Sequence, residues 1–301
     1  MNPIVRFIRH EQIMVNAPRI AANPNPYGVH ILTDIPYRDD GDPCHLLDVY
    51  SPDASGAKLP VIVELHGGGY LSCNKEINAQ HGQYLSSKGF RVVNINYTLS
   101  PEGSLSDILN ELSDALDWVG DNAAACGFDT DRVCLTGDSA GGHIVLIAAA
   151  MYATGRPADF FKVRLPRQRV AAFSASCPEG SFEWRLLPRN LSAKMLFFIL
   201  HKYTFDAEYA RQSSYETFMD ERFPRIWFCS SPTDRLLYTH TRRMHDYMLE
   251  KGYDHVYREY TSTQRRLDHV FNILNPDWPE SRQANDDMIA FFNEALKGGK
   301  P

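Results

Sequence analysis

Apolar positions along this chain fall into short runs that alternate with segments of helical period. Eight runs read as strands: Val29 to Ile35, Leu46 to Tyr50, Val61 to Leu65, Phe90 to Tyr97, Arg132 to Thr136, Val170 to Ser174, Arg225 to Cys229 and His255 to Tyr260. Between two of them, Leu105, Ile108, Leu109, Leu112, Leu116 and Val119 recur at helical spacing, with Asp107, Glu111 and Asp114 in the gaps. That spacing predicts an amphipathic helix packed on a sheet. Ile144 to Ala150 is apolar nearly all round, which predicts a helix buried against the sheet's centre. Strand-like and helical segments in alternation predict an α/β fold, a mostly parallel central sheet flanked by helices.

The chain has 301 residues, 44% of them hydrophobic, enough for a large core. No stretch has linker composition, so residues 1–301 are expected to form a single domain. One segment breaks the alternation. Cys177 to Arg222 separates two core strands and carries Phe182, Trp184, Phe197, Phe198, Tyr203 and Phe205. Residues 177–222 read either as a helical cap insertion that lines a pocket and excludes water, or as an extra helical layer. Residues 1–28, rich in proline and asparagine towards Pro26, are a second candidate cap element. The apolar run Met195 to Leu200 is far shorter than the roughly 20 residues that a bilayer requires, so no membrane insertion is expected.

The candidate chemistry begins at Gly137-Asp138-Ser139-Ala140-Gly141, directly after a strand-like run and directly before a helical one. A G-x-S-x-G segment at such a turn forces a sharp reversal that exposes the serine hydroxyl, and the glycines remove side chains that would clash. Upstream, His66-Gly67-Gly68-Gly69-Tyr70 follows another strand-like run. Its backbone can approach closely and aim N–H groups at a developing oxyanion, worth roughly 3–4 kcal/mol per donor. Asp234 and His269 each stand on a loop after a strand-like run and supply the carboxylate and the base that an activated serine needs. The chain order Ser, Asp, His is that of α/β-hydrolases.

Four segments together resemble the hormone-sensitive-lipase-like branch of the α/β-hydrolases, the esterase family called α/β-hydrolase fold 3. They are the glycine cluster at 66–70, Tyr97-Thr98-Leu99-Ser100-Pro101-Glu102, Gly137 to His143, and the pair Asp234 and His269. The resemblance runs from about Leu46 to about Asn272. It implies a serine carboxylesterase without a cofactor, acting on small or medium esters through an acyl-enzyme on Ser139. It also implies oxyanion donors at the amides of Gly68, Gly69 and Ala140, with Gly67 shaping the turn. Two positions depart from the family pattern: Arg235 stands where a proline usually follows the aspartate, and Val270 where a glycine usually follows the histidine. The residues leave open an amide hydrolase of arylformamidase or peptidase type, and a ligand-binding protein on the same scaffold.

Among eleven histidines, His143 is the rival base, read as a packing residue because no loop carboxylate orients it. His66 is read as holding the glycine loop, and His240, His245 and His255 as surface residues. Asp268 is the rival carboxylate, poorly placed beside the base in sequence. Glu102 and Asp138 are expected to position the serine loop, and Arg265-Arg266 to be a solvated pair. A net charge of −6 without long runs of one sign gives no footprint for nucleic acid. Metal-binding signatures such as H-E-x-x-H are absent. Six scattered cysteines and an opening segment without the about 7–15-residue apolar core of a signal peptide lead to an expected cytoplasmic location. The expected partner is a small-molecule ester, and a homo-oligomer is left open.

Overall fold

A computed structural model describes residues 3–22, 24–52, 57–182 and 206–297. Its strands are β1 (His30–Pro36), β2 (Leu46–Ser51), β3 (Leu59–Leu65), β4 (Arg91–Ile95), β5 (Phe128–Asp138), β6 (Ala172–Ser176), β7 (Ile226–Ser230) and β8 (His255–Glu259). They form one sheet in the order β1-β2-β4-β3-β5-β6-β7-β8. β1 and β2, and β2 and β4, pair antiparallel, and every later pairing is parallel. All eight strand-like runs of the sequence therefore become strands. β5 starts earlier than its apolar run because Leu59 and Pro60 pair with Phe128 and Asp129 before a register shift, and the polar stretch Asp129-Thr130-Asp131 hides the strand signal.

The described helices are α1 (Pro3–Ala21), α2 (Ala79–Ser87), α3 (Leu105–Asp121), α4 (Ala123–Cys126), α5 (Ala140–Thr154), α6 (Arg156–Phe161), α7 (Ala207–Gln212), α8 (Tyr215–Phe218), α9 (Tyr238–Lys251), α10 (Phe271–Leu274) and α11 (Pro279–Lys297). Strand side chains alternate between faces. Val61, Val63 and Leu65 join a core with α3 and α5, while Ile62 joins the opposite core with Leu85 of α2 and Met288 of α11. Helix α3 starts at a capping box in which Ser104 Oγ and the Asp107 carboxylate each satisfy the other's backbone N–H. Its buried face holds the predicted apolar residues, and Glu111 joins them, accepting from the N–H and hydroxyl of Thr98. Helix α5 is buried from Ala140 to Met151.

Of the candidate cap segment 177–222, residues 183–205, with Trp184, Phe197, Phe198, Tyr203 and Phe205, lie outside the described residues. Its described flanks fold back on the core: Phe182 is buried against the ring of His143, and Tyr215 donates to the Gly180 carbonyl. Helix α1 places Val5 and Ile8 on Leu71, just after the glycine cluster. Among the described residues, no helix is long and apolar enough to cross a membrane.

Candidate active site

Parallel strands deliver their C-terminal ends to one edge of the sheet, and the four candidate segments collect there. Ser139 stands between β5 and α5 with φ 52° and ψ −116°, a backbone state that L-residues adopt only under strain. The surrounding contacts impose it. The Ser139 N–H donates to the Ser176 carbonyl at 2.9 Å, and a Cβ on Gly137 would lie 2.6 Å from the Gly141 carbonyl. A Cβ on Gly141 would meet the His66 carbonyl at 2.6 Å. Glycine on both sides of the serine is thus what lets α5 begin hard against β5 and the end of β3.

The glycine loop is held through its carbonyls. A trans peptide points its C=O and N–H in opposite directions, so fixing one aims the other. His66 Nδ1 donates to the Gly67 carbonyl at 2.7 Å, which turns the Gly68 N–H away from it. The Gly68 carbonyl accepts from the Leu71 and Ser72 N–H groups at 3.1 and 3.2 Å and from Ser72 Oγ at 3.0 Å, which aims the Gly69 N–H. Positive φ at Gly68 (110°) and Gly69 (61°) makes the path open to glycine. Burial pushes His66 down to about 4, so its ring stays neutral with the proton on Nδ1.

Asp138, next to Ser139, accepts from the Gly67 N–H at 3.1 Å and from Asn78 Nδ2 at 2.9 Å. A Cβ on Gly67 would stand 3.0 Å from Ser139 Cβ, so the loop lies against the serine. The N–H groups of Gly68, Gly69 and Ala140 make no hydrogen bond to any described residue. Burial, opposed by the Asn78 bond, pushes Asp138 up to about 6.

Asp234 follows β7 and is 3% exposed. Its Oδ1 accepts from the N–H groups of Leu236 and Leu237 at 2.8 and 3.1 Å, and its Oδ2 faces His269 Nδ1 at 2.8 Å. Burial alone would raise this carboxyl, but the bonds from His269, Leu236 and Leu237 outweigh it and hold it below the usual range. Arg235 in place of proline costs this arrangement nothing, because the holding N–H groups belong to the next two residues. Val270 adopts φ 50°, the left-handed state in which the family's glycine would be unstrained.

His269 Nε2 is buried and unpartnered. Ser139 Oγ makes no hydrogen bond to it. The structure joins His269 to Asp234 and sets the glycine loop against Ser139, with no hydrogen bond between the two.

Other assignments divide. His143 is fully buried, donating from Nε2 to the Ser213 carbonyl at 2.7 Å and meeting the Tyr70 hydroxyl at Nδ1, so no nitrogen is free. Arg265 lies over the Trp278 ring and Arg266 pairs with Asp268. Glu102 is corrected: it pairs with Arg9 of α1 at 2.6 Å, away from the serine loop. His240, His245 and His255 are half-buried rather than surface residues. His240 bonds the buried Glu179 at 2.9 Å, and His245 and His255 bond each other at 2.8 Å. Their helix and strand pack face to face, which a helical period read one element at a time does not reveal. Sequence reading also missed Cys177, one residue past β6, whose thiol lies within 4.8 Å of ligand atoms of Asp234 and His269. Nothing in a lone cysteine's sequence context signals that placement.

The sheet order and the turn at Ser139 define an α/β-hydrolase fold. Esterase B from Lactobacillus rhamnosis, in an inhibited form, superposes with a TM-score of 0.88 over 98% of this chain and 96% of that one, at 23% identity. Within that class, residues 47–169 match the BD-FAE family model, a hormone-sensitive-lipase-like α/β-hydrolase family. Over 140 residues the chain is 35% identical to the non-reducing polyketide synthase Preu3 of Preussia isomera, covering 42% of this chain and 6% of that one. Over 138 residues it is 33% identical to carboxylesterase NlhH of Mycobacterium tuberculosis, covering 44% and 39%. The chain spans well under half the length of these curated relatives.

Proposed function

We propose that this protein is a serine carboxylesterase that hydrolyses small or medium carboxylic esters through an acyl-enzyme on Ser139. The observation that carries the reading is the 2.8 Å bond from His269 to Asp234 together with the free Nε2 on the same ring. A histidine whose Nδ1–H is held by a carboxylate presents a basic Nε2, the state needed to accept a proton from a serine. In the first step Ser139 Oγ attacks the ester carbonyl and gives its proton to Nε2. Negative charge moves onto the carbonyl oxygen, where the Gly68, Gly69 and Ala140 N–H groups donate. The alcohol leaves with the proton from Nε2, and water, activated by the same nitrogen, releases the acid.

Relatives that are carboxylesterases support ester over amide chemistry, as does the easier departure of an alkoxide. Six free cysteines suit a reducing cytoplasmic setting. The test is steady-state hydrolysis of p-nitrophenyl esters of increasing acyl length by wild type and Ser139→Ala. The variant should fold normally and lose roughly 10³–10⁶-fold in kcat. Equal turnover by both proteins would sink the assignment. Labelling of wild type by a fluorophosphonate probe, which requires an activated serine, separates an esterase from a binding protein.

A further inference from the structure

Cys177 occupies a place that the reaction does not use. It follows β6 with φ 47°, and its N–H donates to the Cys229 carbonyl at 2.8 Å. The side chain packs on Val270 and Ile273, directly behind the histidine loop. One ligand atom each from Cys177, Asp234 and His269 lie within 4.8 Å of one another, and Cys177 and Asp234 are buried. A soft thiol, an imidazole nitrogen and a carboxylate oxygen are a donor set that zinc and cadmium favour. Tetrahedral coordination at the usual bond lengths sets such donors roughly 3.3–3.7 Å apart, so side-chain adjustment of an ångström or so closes the site.

We propose that Cys177, Asp234 and His269 form an inhibitory site for a thiophilic divalent cation, Zn²⁺ or Cd²⁺. The cation displaces the 2.8 Å hydrogen bond between His269 Nδ1 and Asp234 and takes both atoms as ligands. The Cys177 thiol releases its proton to solvent, and the imidazole proton moves from Nδ1 to Nε2, so each cation bound frees one proton. With Nε2 protonated, the ring has no lone pair for the Ser139 hydroxyl. Without a cation, burial pushes the thiol well above its ordinary value and Cys177 remains a neutral packing residue.

The test uses Cd²⁺, because its thiolate charge-transfer absorption reports Cys ligation without reference to turnover. Wild type should bind one equivalent with a charge-transfer band and lose ester hydrolysis in parallel. Cys177→Ala should lose the band and weaken binding and inhibition by about 100-fold or more, since removing even an outer-shell partner costs 10–100-fold. Cys177→Ser, closer in size, serves if the alanine variant does not fold. Cys126→Ala, on the short helix α4, should behave as wild type. The inhibition arm rests on the esterase reading, whereas the band does not. A band that survives in Ser139→Ala upholds the site whatever that protein hydrolyses. An undiminished band in Cys177→Ala, or equal inhibition of it and wild type, overturns the proposal.

Discussion

Two carboxylate–histidine pairs in this molecule share their chemistry and differ in what surrounds them. At the C-terminal edge of the sheet, Asp234 and His269 sit on separate loops, and the ring keeps one nitrogen free. Between β3 and α2, Glu64 and His81 are fully buried, with Nδ1 2.5 Å from Glu64 and Nε2 3.3 Å from Asn285. Asn78 bridges the Glu64 carboxylate to Asp138, and Asn285 continues the network to Asn272, near the histidine loop. One pair can take up a proton from a substrate-side group, while the other spends both nitrogens holding secondary structure together. A buried histidine with both nitrogens bonded is a joint, and one with a free nitrogen behind an oriented carboxylate is a candidate base.

The largest expected effect strikes the loop pair. Asp234→Asn should preserve size and most packing but favour the wrong imidazole tautomer, lowering kcat by about 10⁴ with little change in melting temperature. Steady-state kinetics beside a thermal scan check this, and a variant with near-normal kcat would remove the pair's distinction. For the inner pair the signs reverse. His81→Ala takes the imidazole from the buried Glu64 carboxylate and leaves it the 3.2 Å Asn78 bond, so it should cost about 3–5 kcal/mol of stability, read by denaturant midpoint. The kcat of molecules that remain folded should stay within about tenfold of wild type.

A milder effect concerns Asp138, which lies between the two regions. Burial pushes its folded-state value up to about 6 from the ordinary 3.8, so the folded protein binds the proton more tightly than the unfolded chain. Stability from this group is therefore full below 3.8 and is lost as pH rises towards about 6. Asp138→Asn keeps an acceptor for the Gly67 N–H and should remove that component of the pH dependence, measured by denaturation at several pH values. An unchanged profile would show that Asp138 is not its source.

The smallest effect is expected at Val270→Gly. Relief of strain worth about 1–3 kcal/mol opposes the loss of about 1.5–3 kcal/mol from a buried side chain, so the net change in stability should fall within about 1 kcal/mol. A much larger loss would mean that the valine's packing on Cys177 dominates the loop.

Most of the sheet was legible because its strands carry local apolar positions: the inner strands are largely buried runs, while the edge strands β1 and β8 are half-buried or exposed and carry only a weaker one. The serine turn was legible because its glycines sit beside the serine in sequence, and His66 because it adjoins the loop it holds. Glu102 was misread because its partner, Arg9, lies on a helix distant in sequence, and Glu111 because an acidic residue at helical spacing gives no sign of facing Thr98. The pairing of His245 with His255 likewise arises only when α9 packs on β8.

By itself the sequence determined the alternation of elements, the strained elbow and the order of the three candidate catalytic residues, since these rest on neighbouring residues and on backbone sterics. Tertiary structure alone decided which nitrogen of which histidine is free, which carboxylates are buried together, and that Cys177 stands behind His269. Those properties belong to contacts between segments far apart in the chain, and neither local composition nor period encodes a distance across the fold.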